Sequence, residues 1–466
     1  MTATVSGGVE GLRARMSGPV LGPGDLEYDT ARSVWNGEID KRPALIARCL
    51  SPGDVGAAIT FARDEGLEIS VRGGGHNFGG AAVCVDGLMI DLSALDEVTV
   101  DVGARRARCG GGATLADLDA ATQEHGLAVT GGTISHTGVG GLTLGGGFGW
   151  LTSRLGLTCD NLVAAEVVTA DGHCLRASPT EHPDLFWALR GGGGNFGVVT
   201  TFEFALAPIG PEVHLGFFFW PLDSAREALR AIRDAVDGLP RGAGSLVACL
   251  NAPPAPFVPE QYHFSPGVAF LIVGFDSAEE HAAAVAPIRA VLPPAVDFIT
   301  PMPYTALQQM LDESTPWGIF GYEKALYLDE FTDAAIDVVV EQFPRKTSPM
   351  SFTPIFPVGG AFGDVADQAT AFGGSRSTRW VFNIAAVAPD AEALAADREW
   401  VRSFWEALRP YAGSAGSYVN FMVDFEEDRV RAAYGPAKYD RLAAIKAKYD
   451  PANVFHLNPN IRPSGH

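Results

Sequence analysis

Val71-Arg72-Gly73-Gly74-Gly75-His76-Asn77-Phe78-Gly79-Gly80 is the stretch on which the reading of this chain turns. A β-prone run, Glu68 to Arg72, ends in three glycines and a histidine flanked by small residues. Glycine reaches positive φ and lets a ligand approach the main chain, so successive N–H groups can converge on phosphate oxygens. Taken alone, the segment is equally compatible with an ordinary glycine-rich turn bearing a surface histidine.

Composition narrows the choice. A chain of 466 residues, 47% of them hydrophobic, is long enough for several cores. The net charge of −21 argues against nucleic acid or an anionic membrane surface as a partner. An anionic cofactor must then be held by local backbone N–H groups and a few arginines. No charged-then-apolar leader and no apolar run of bilayer length is seen, so a soluble cytoplasmic protein is expected. The six cysteines include no C-x-x-C pair, which suggests neither a metal site nor a disulfide framework.

The first forty residues, rich in glycine and proline, read as a surface segment with a short helix within Asp25 to Trp35. From Pro43 strands and helices alternate: Ala44 to Cys49 as a strand, Val55 to Glu65 as a helix that Asp54 can cap, then Glu68 to Arg72. Short strands follow at Leu88 to Leu92, Glu97 to Asp101 and Arg106 to Gly110. Thr114 and Asp117 have capping-box spacing at the head of a helix reaching His125. This is an α+β unit.

Gly131 to Trp150 holds nine glycines in twenty positions, with Val139, Leu142, Leu144, Phe148 and Trp150 as anchors. So much backbone freedom is not spent in an ordinary core; the main chain must lie against a ligand or another backbone. A flexible linker would lack the apolar anchors. Leu162 to Ala170 then reads as a strand closed by the Asp171-Gly172 turn. Gly192, Gly194 and Gly197 form a nominal G-x-G-x-x-G, but a helix precedes it and a strand follows, the reverse of the dinucleotide-binding context.

In order along the chain stand Arg72-Gly-Gly-Gly-His76, the Gly138 to Gly149 run, Gly156-Leu-Thr-Cys-Asp-Asn161, Asp184-Leu-Phe-Trp-Ala-Leu-Arg-Gly-Gly-Gly-Gly-Asn-Phe-Gly197, and Tyr449-Asp-Pro-Ala-Asn-Val-Phe-His-Leu-Asn-Pro-Asn-Ile461. Together they resemble the berberine-bridge-enzyme-like flavoproteins of the vanillyl-alcohol oxidase superfamily. The resemblance implies an α+β fold: a two-part PCMH-type FAD-binding domain (41–211), a substrate domain with an antiparallel sheet backed by helices (212–410), and a C-terminal segment (411–466) returning to the cofactor. It implies FAD held by a single covalent link from His76 to the 8α carbon, with Arg72, Gly73, Gly74, Gly75, Asn77 and Gly79 at the pyrophosphate loop. Further cofactor contacts are implied for Thr133, Thr137, Gly138, Gly140, Gly141, Gly146, Gly147, Gly149, Asp160, Asn161, Gly194, Gly197, Val198, Asn458 and Asn460. The chemistry implied is hydride transfer to flavin N5, with O₂ as the expected acceptor.

Three departures from the family pattern bear on catalysis. Ile134 stands where doubly linked members have cysteine, so no second covalent link is expected. Phe421 replaces the second tyrosine of a Tyr-x-Asn-Tyr motif and cannot accept a proton. The strand Arg379 to Ile384 lacks the glutamate that other members use. His136, whose ordinary pKa suits proton transfer near neutrality, and Tyr418 are the substitute candidates, with Tyr304, Tyr322 and Glu323 behind them. Dense aromatic residues between Phe217 and Phe382 predict a sizeable apolar or aromatic substrate, and the resemblance implies a natural-product-like alcohol, amine or related small molecule. A flavoprotein with a non-redox or binding role stays open because the usual bases are absent.

Overall fold

The computed structural model describes residues 2–413, 416–423 and 425–465. Strands β1 (Val20–Leu21), β2 (Leu45–Arg48), β3 (Ile69–Arg72) and β4 (Leu88–Asp91) form a sheet in the order β1-β2-β4-β3. β2, β4 and β3 are parallel, which requires a crossover, and the helix Pro52–Asp64 supplies it. Its cap is Ser51, whose Oγ accepts from the Asp54 N–H. Asp54 was the expected cap; its buried carboxylate instead accepts from the N–H groups of Ser17, Gly18 and Leu50. The segment before residue 40 is therefore not a surface appendage. Leu12, Tyr28, Ala31, Val34 and Trp35 are buried, and β1 extends the sheet.

The second sheet is antiparallel. It is built from β5 (Val98–Asp101), β6 (Arg106–Gly110), β8 (Leu162–Val168), β9 (Cys174–Ala177) and β10 (Val198–Ala205), in the order β5-β6-β10-β8-β9. A ribbon of β7 (Leu127–Ala128) and β11 (Ala207–Pro208) lies beside it. The Asp171-Gly172 turn joins β8 to β9, and the Thr114–Asp117 capping box closes the helix Leu115–Gln123. Five cysteines are buried, Cys174 is exposed, and none is paired.

The third sheet takes seven antiparallel strands: β12 (Glu212–Pro221), β13 (Gly244–Asn251), β14 (Pro266–Gly274), β15 (Val296–Pro303), β16 (Phe320–Leu328), β17 (Thr353–Pro357) and β18 (Trp380–Ala388). Their order is β15-β12-β14-β13-β17-β18-β16. Side chains alternate between faces, so the dense aromatics divide. Phe218, Trp220, Phe270 and Phe382 pack under helices that include Ala225–Val236 and Ala391–Leu408. Each such buried aromatic contributes roughly 1.5–3 kcal/mol. Leu215, Phe217, Leu246, Leu271 and Phe356 take the other face. That second face packs in part against the helix Tyr304–Gln309 and the stretch from Phe148 to Leu157, and it also contributes a wall to the cavity described below.

Two long-range devices fasten the parts together. Fully buried Lys446, on the helix Pro436–Tyr449, donates to Asp450 at 2.6 Å and to the carbonyls of Asn195 and Phe455 at 2.7 and 2.9 Å. All three ammonium donors are thereby satisfied. Asn195 donates to the Pro459 carbonyl and accepts from the Ile461 N–H, which sews the tail to the glycine cluster at 191–197. The glycine-rich turn Ala366 to Arg376 acts as a clamp. Arg376 makes two 2.8 Å bonds to Asp160 and lies 5.1 Å from the ring centres of both Phe362 and Phe372. Among the described residues no helix is long and apolar enough to cross a membrane.

Candidate active site

The two glycine runs singled out in the sequence cross backbone on backbone. A Cβ on Gly74 would overlap the nitrogen of Gly138, and a Cβ on Gly138 would overlap the nitrogen of Gly74. Only paired glycines allow this approach. The second run is held from below: the N–H groups of Leu115 and Ala116 donate to the carbonyls of Thr137 and Ser135. Ser135 in turn donates its N–H and hydroxyl to Asp312, at 2.8 and 2.5 Å.

A cavity of about 920 Å³ opens over this crossing. On one side it is lined by Gly73, Gly74, Gly75, His76, Asn77, Thr133, Thr137, Gly138, Gly140, Gly141, Gly194, Gly197, Val198 and Asn458, all expected cofactor residues. Gly193, Trp35 and Tyr434 join them unpredicted. The remaining expected residues do not line it. Arg72 bonds Asp91 at 3.3 Å, and its Nε is buried without a partner. Gly79 packs on Val423, while Gly146, Gly147 and Gly149 pack on Phe372, Thr158 and Gly131. Their neighbours Leu144 and Phe148 line the cavity, while the α-carbons of these three glycines are taken by packing contacts. Asp160 is taken by Arg376, and Asn161 donates to the carbonyls of Leu155 and Leu157. Asn460 lies beyond the lining, its Oδ1 buried and unpartnered.

His76 lies in an aromatic enclosure. Trp35 stacks on it at 5.5 Å between ring centres, and Trp317 meets it edge-on at 5.9 Å. His76 Nε2 and His136 Nδ1 share a hydrogen bond of 2.6 Å. Burial, and then the adjoining His136 ring, holds His76 down to about 3. Burial also lowers His136, against a partial pull from Asp312. Both rings are neutral near pH 7, and one proton lies between them. His76 lines the cavity, and no hydrogen bond engages its Nδ1 among the described residues. His136 itself does not line the cavity. The structure places His136, the expected base, with its ring on His76 Nε2 and outside the cavity lining.

The cavity-facing side of the seven-stranded sheet supplies another wall. Glu323 on β16 and Asn383 on β18 line the cavity and are 2% and 6% exposed. Asn383 Nδ2 donates to Glu323 Oε2 at 2.8 Å. Burial pushes Glu323 up to about 8, partly offset by this bond. Tyr418 also lines the cavity; its hydroxyl accepts from the Gly147 N–H at 2.7 Å and from Asn420 at 2.9 Å. Burial raises its phenol, and both bonds occupy oxygen lone pairs, leaving the O–H free to donate. Tyr304 and Tyr322 lie outside the lining, Tyr322 on the opposite face beneath Arg398 and Arg402. The missing carboxylate of the strand at Asn383 is thus supplied by the next strand. A lone Glu in the apolar run Phe320–Leu328 was its only trace in the sequence.

The residues fit a flavin dinucleotide. A glycine-walled trough, in which side chains at Gly74 or Gly138 would collide, leads to an enclosed histidine, and the unpartnered Arg72 Nε and Asn460 Oδ1 lie close by in sequence to its lining. This is the architecture of an FAD-dependent oxidoreductase. The FAD binding domain family matches residues 43–178, and the berberine and berberine like family matches 417–462. The chain is 32% identical to (R)-6-hydroxynicotine oxidase of Paenarthrobacter nicotinovorans, over 97% of this chain and 98% of that one. The crystal structure of 6-hydroxy-D-nicotine oxidase from Arthrobacter nicotinovorans superposes with a TM-score of 0.85 at 29% identity, covering 96% and 98% of the two chains. The Physcomitrella patens BBE-like 1 fold matches with a TM-score of 0.87 at 21% identity, over 98% and 99%. The protein belongs to the berberine-bridge-enzyme-like FAD-linked oxidoreductases, and its cofactor is FAD.

Proposed function

We propose that this enzyme is an oxidase of apolar or aromatic small molecules, alcohols or amines, with FAD joined covalently to His76 and O₂ as the electron acceptor. The observation that carries the reading is one cavity with two unlike walls, a glycine cradle ending at His76 and an apolar sheet face interrupted by Glu323 and Asn383. Bound FAD supplies the hydride acceptor. A relative named for 6-hydroxynicotine supports the same size and polarity of substrate. A polyhydroxylated substrate would leave its hydroxyls against Phe217, Leu246 and Leu271 without partners.

In this reading the part spanning 41–211 and the tail 411–466 hold the cofactor, and 212–410 presents the substrate. His76 anchors the flavin through Nδ1, while His136, holding Nε2, positions the imidazole ring. Glu323 accepts the substrate's proton, because a carboxyl poised at about 8 is matched to proton transfer near neutrality. Asn383 orients that carboxylate, and Tyr418 offers its O–H to the substrate heteroatom. The apolar wall excludes water from the reacting centre. The non-redox alternative is not favoured, since a titratable carboxyl does line the cavity.

Mixing the holoenzyme with aromatic alcohols and amines under anaerobic conditions tests the reading. Loss of the oxidised flavin's visible absorbance, with its return on admitting air, is the expected outcome. Product formation with no such loss would overturn it. For the link, acid-precipitated wild type should keep its yellow colour and His76→Ala should lose it; a colourless wild-type pellet refutes the attachment.

A further inference from the structure

The loop between the helix Tyr304–Gln309 and β16 crosses from the substrate part onto the parts that enclose His76. Four of its residues reach that enclosure. Asp312 accepts from the Ser135 N–H at 2.8 Å and from its hydroxyl at 2.5 Å, which fixes the backbone immediately before His136. The Thr315 carbonyl accepts from Trp35 Nε1 at 2.9 Å, and the Gly318 N–H donates to the Trp35 carbonyl at 3.0 Å. Trp317 sets its ring edge-on against His76. Three rings thus surround His76, and this one loop holds or supplies each of them. Asp312 also acts on the His136 ring directly. Its carboxylate charge favours the protonated ring, and so does a hydrogen bond from its backbone, as a carbonyl acceptor does. His136 Nδ1 is occupied by His76, so that carbonyl takes the Nε2–H. A neutral ring protonated on Nε2 has its lone pair on Nδ1 and must accept from His76 Nε2–H. The lone pair of His76 is then on Nδ1, the nitrogen that no hydrogen bond engages among the described residues.

We infer that Asp312 is a positioning residue: reaching over from the substrate part, it sets the tautomer of His136 and, through it, the nitrogen that His76 presents to the cofactor. Which nitrogen of an imidazole carries the proton is decided by the bond the other one makes, and here two rings in series pass that decision from a carbonyl to a lone pair. For the bond itself the inference rests on the covalent reading above; the order of tautomers does not. Attachment joins His76 Nδ1 to the 8α carbon. That carbon gives up one proton, and His76 Nε2 passes another to His136 Nδ1 while the Asp312 carboxylate offsets the charge. The two electrons released reduce O₂, which leaves with both protons as hydrogen peroxide. Attachment is thereby tied to the docking of the substrate part, because the residue that orders the pair belongs to it.

The test compares full-length wild type, Asp312→Asn and Asp312→Ala, each produced under riboflavin limitation and then given FAD. Two-bond proton–nitrogen correlation spectra of the histidine-labelled proteins, assigned with His76→Ala and His136→Phe, give the tautomers before FAD is added. In the wild type both rings should be protonated on Nε2, and the flavin peptide released by proteolysis should be linked through Nδ1 alone. Asn keeps the backbone carbonyl and an acceptor for Ser135 but no charge, so the tautomers should persist while acid-stable flavin accumulates about ten-fold more slowly. Ala loses the clamp as well; His76 should divide between tautomers and the flavin peptide between Nδ1 and Nε2 linkage. Binding of FAD before attachment, read from fluorescence quenching, should stay within about two-fold in Asp312→Asn, so a misfolded pocket does not imitate the effect. Either wild-type ring in the other tautomer, or an unchanged rate in Asp312→Asn, overturns the proposal, and the second result needs no folded Asp312→Ala. The expected tautomers in the wild type, divided in Asp312→Ala, with no acid-stable flavin in any protein would uphold the positioning role and refute the covalent reading instead.

Discussion

Replacing Glu323 by glutamine should stabilise the folded protein while abolishing turnover, and the stabilisation should grow with pH. The glutamate is 2% exposed, and burial pushes it from 4.5 to about 8. Its native form is neutral across a range where the unfolded chain prefers the anion. The unfolded state then binds fewer protons than the native state, so stability falls as pH rises from the unfolded pKa to the folded one. The gap of 3.5 units between these values corresponds to about 5 kcal/mol at full extent, an order-of-magnitude figure. Near pH 6 the difference is about 2 kcal/mol by the same arithmetic. Glutamine keeps an oxygen for the Asn383 amide and has no proton to lose, so this term vanishes in the variant. Urea unfolding of both proteins, from pH 5 to 9, should show midpoints that coincide at the acid end, diverge through the neutral range and run parallel above pH 8. A difference that is flat, or that shrinks with pH, would refute the reasoning. In the wild type, kcat/KM should climb with pH up to about 8 and level off, as the carboxylate becomes available.

Three further outcomes follow from the geometry. Gly138→Ala sets a methyl inside the contact distance of the Gly74 backbone; neither loop can relieve this by a rotamer change. A loss of about 1–3 kcal/mol and a lower flavin-to-protein ratio after acid precipitation are expected. Asp160→Asn leaves the Arg376 guanidinium, 4% exposed, without its counter-charge, which should lower stability by about 3–5 kcal/mol. Pairing it with Arg376→Met should recover much of that loss in the same urea assay. His136→Phe removes the partner of His76 Nε2 while keeping ring volume; acid-stable flavin should accumulate more slowly when the apoprotein is mixed with FAD. An unchanged time course would remove His136 from the positioning role.

The three glycine clusters, the capping box at Thr114 and the period-two strands were legible because each is local. Glycine density marks where main chain meets main chain or ligand, and alternation marks a half-buried strand whatever its partners are. The resemblance of five ordered motifs extended this to the cofactor and to His76. The N-terminal segment was misjudged because its glycines and prolines outweighed the sparse buried positions at Leu12, Tyr28 and Trp35. Gly146, Gly147 and Gly149 were expected at the cofactor from the resemblance, and the structure packs them on Phe372, Thr158 and Gly131, partners that only the folded chain brings to them.

What the sequence by itself determined is the chemistry available: a glycine-lined anion cradle, one histidine for attachment, and an apolar substrate sheet without the family's usual bases. Only the tertiary structure decided which groups meet. His136 and His76 lie 60 residues apart, as do Glu323 and Asn383, and both pairs depend on strand order and on the direction of a turn. A strand's two faces are equivalent in sequence until the sheet has a covered side and an open one. Here the helices take the face of Phe382, so Asn383 and Glu323 are left on the side where the flavin and substrate must lie.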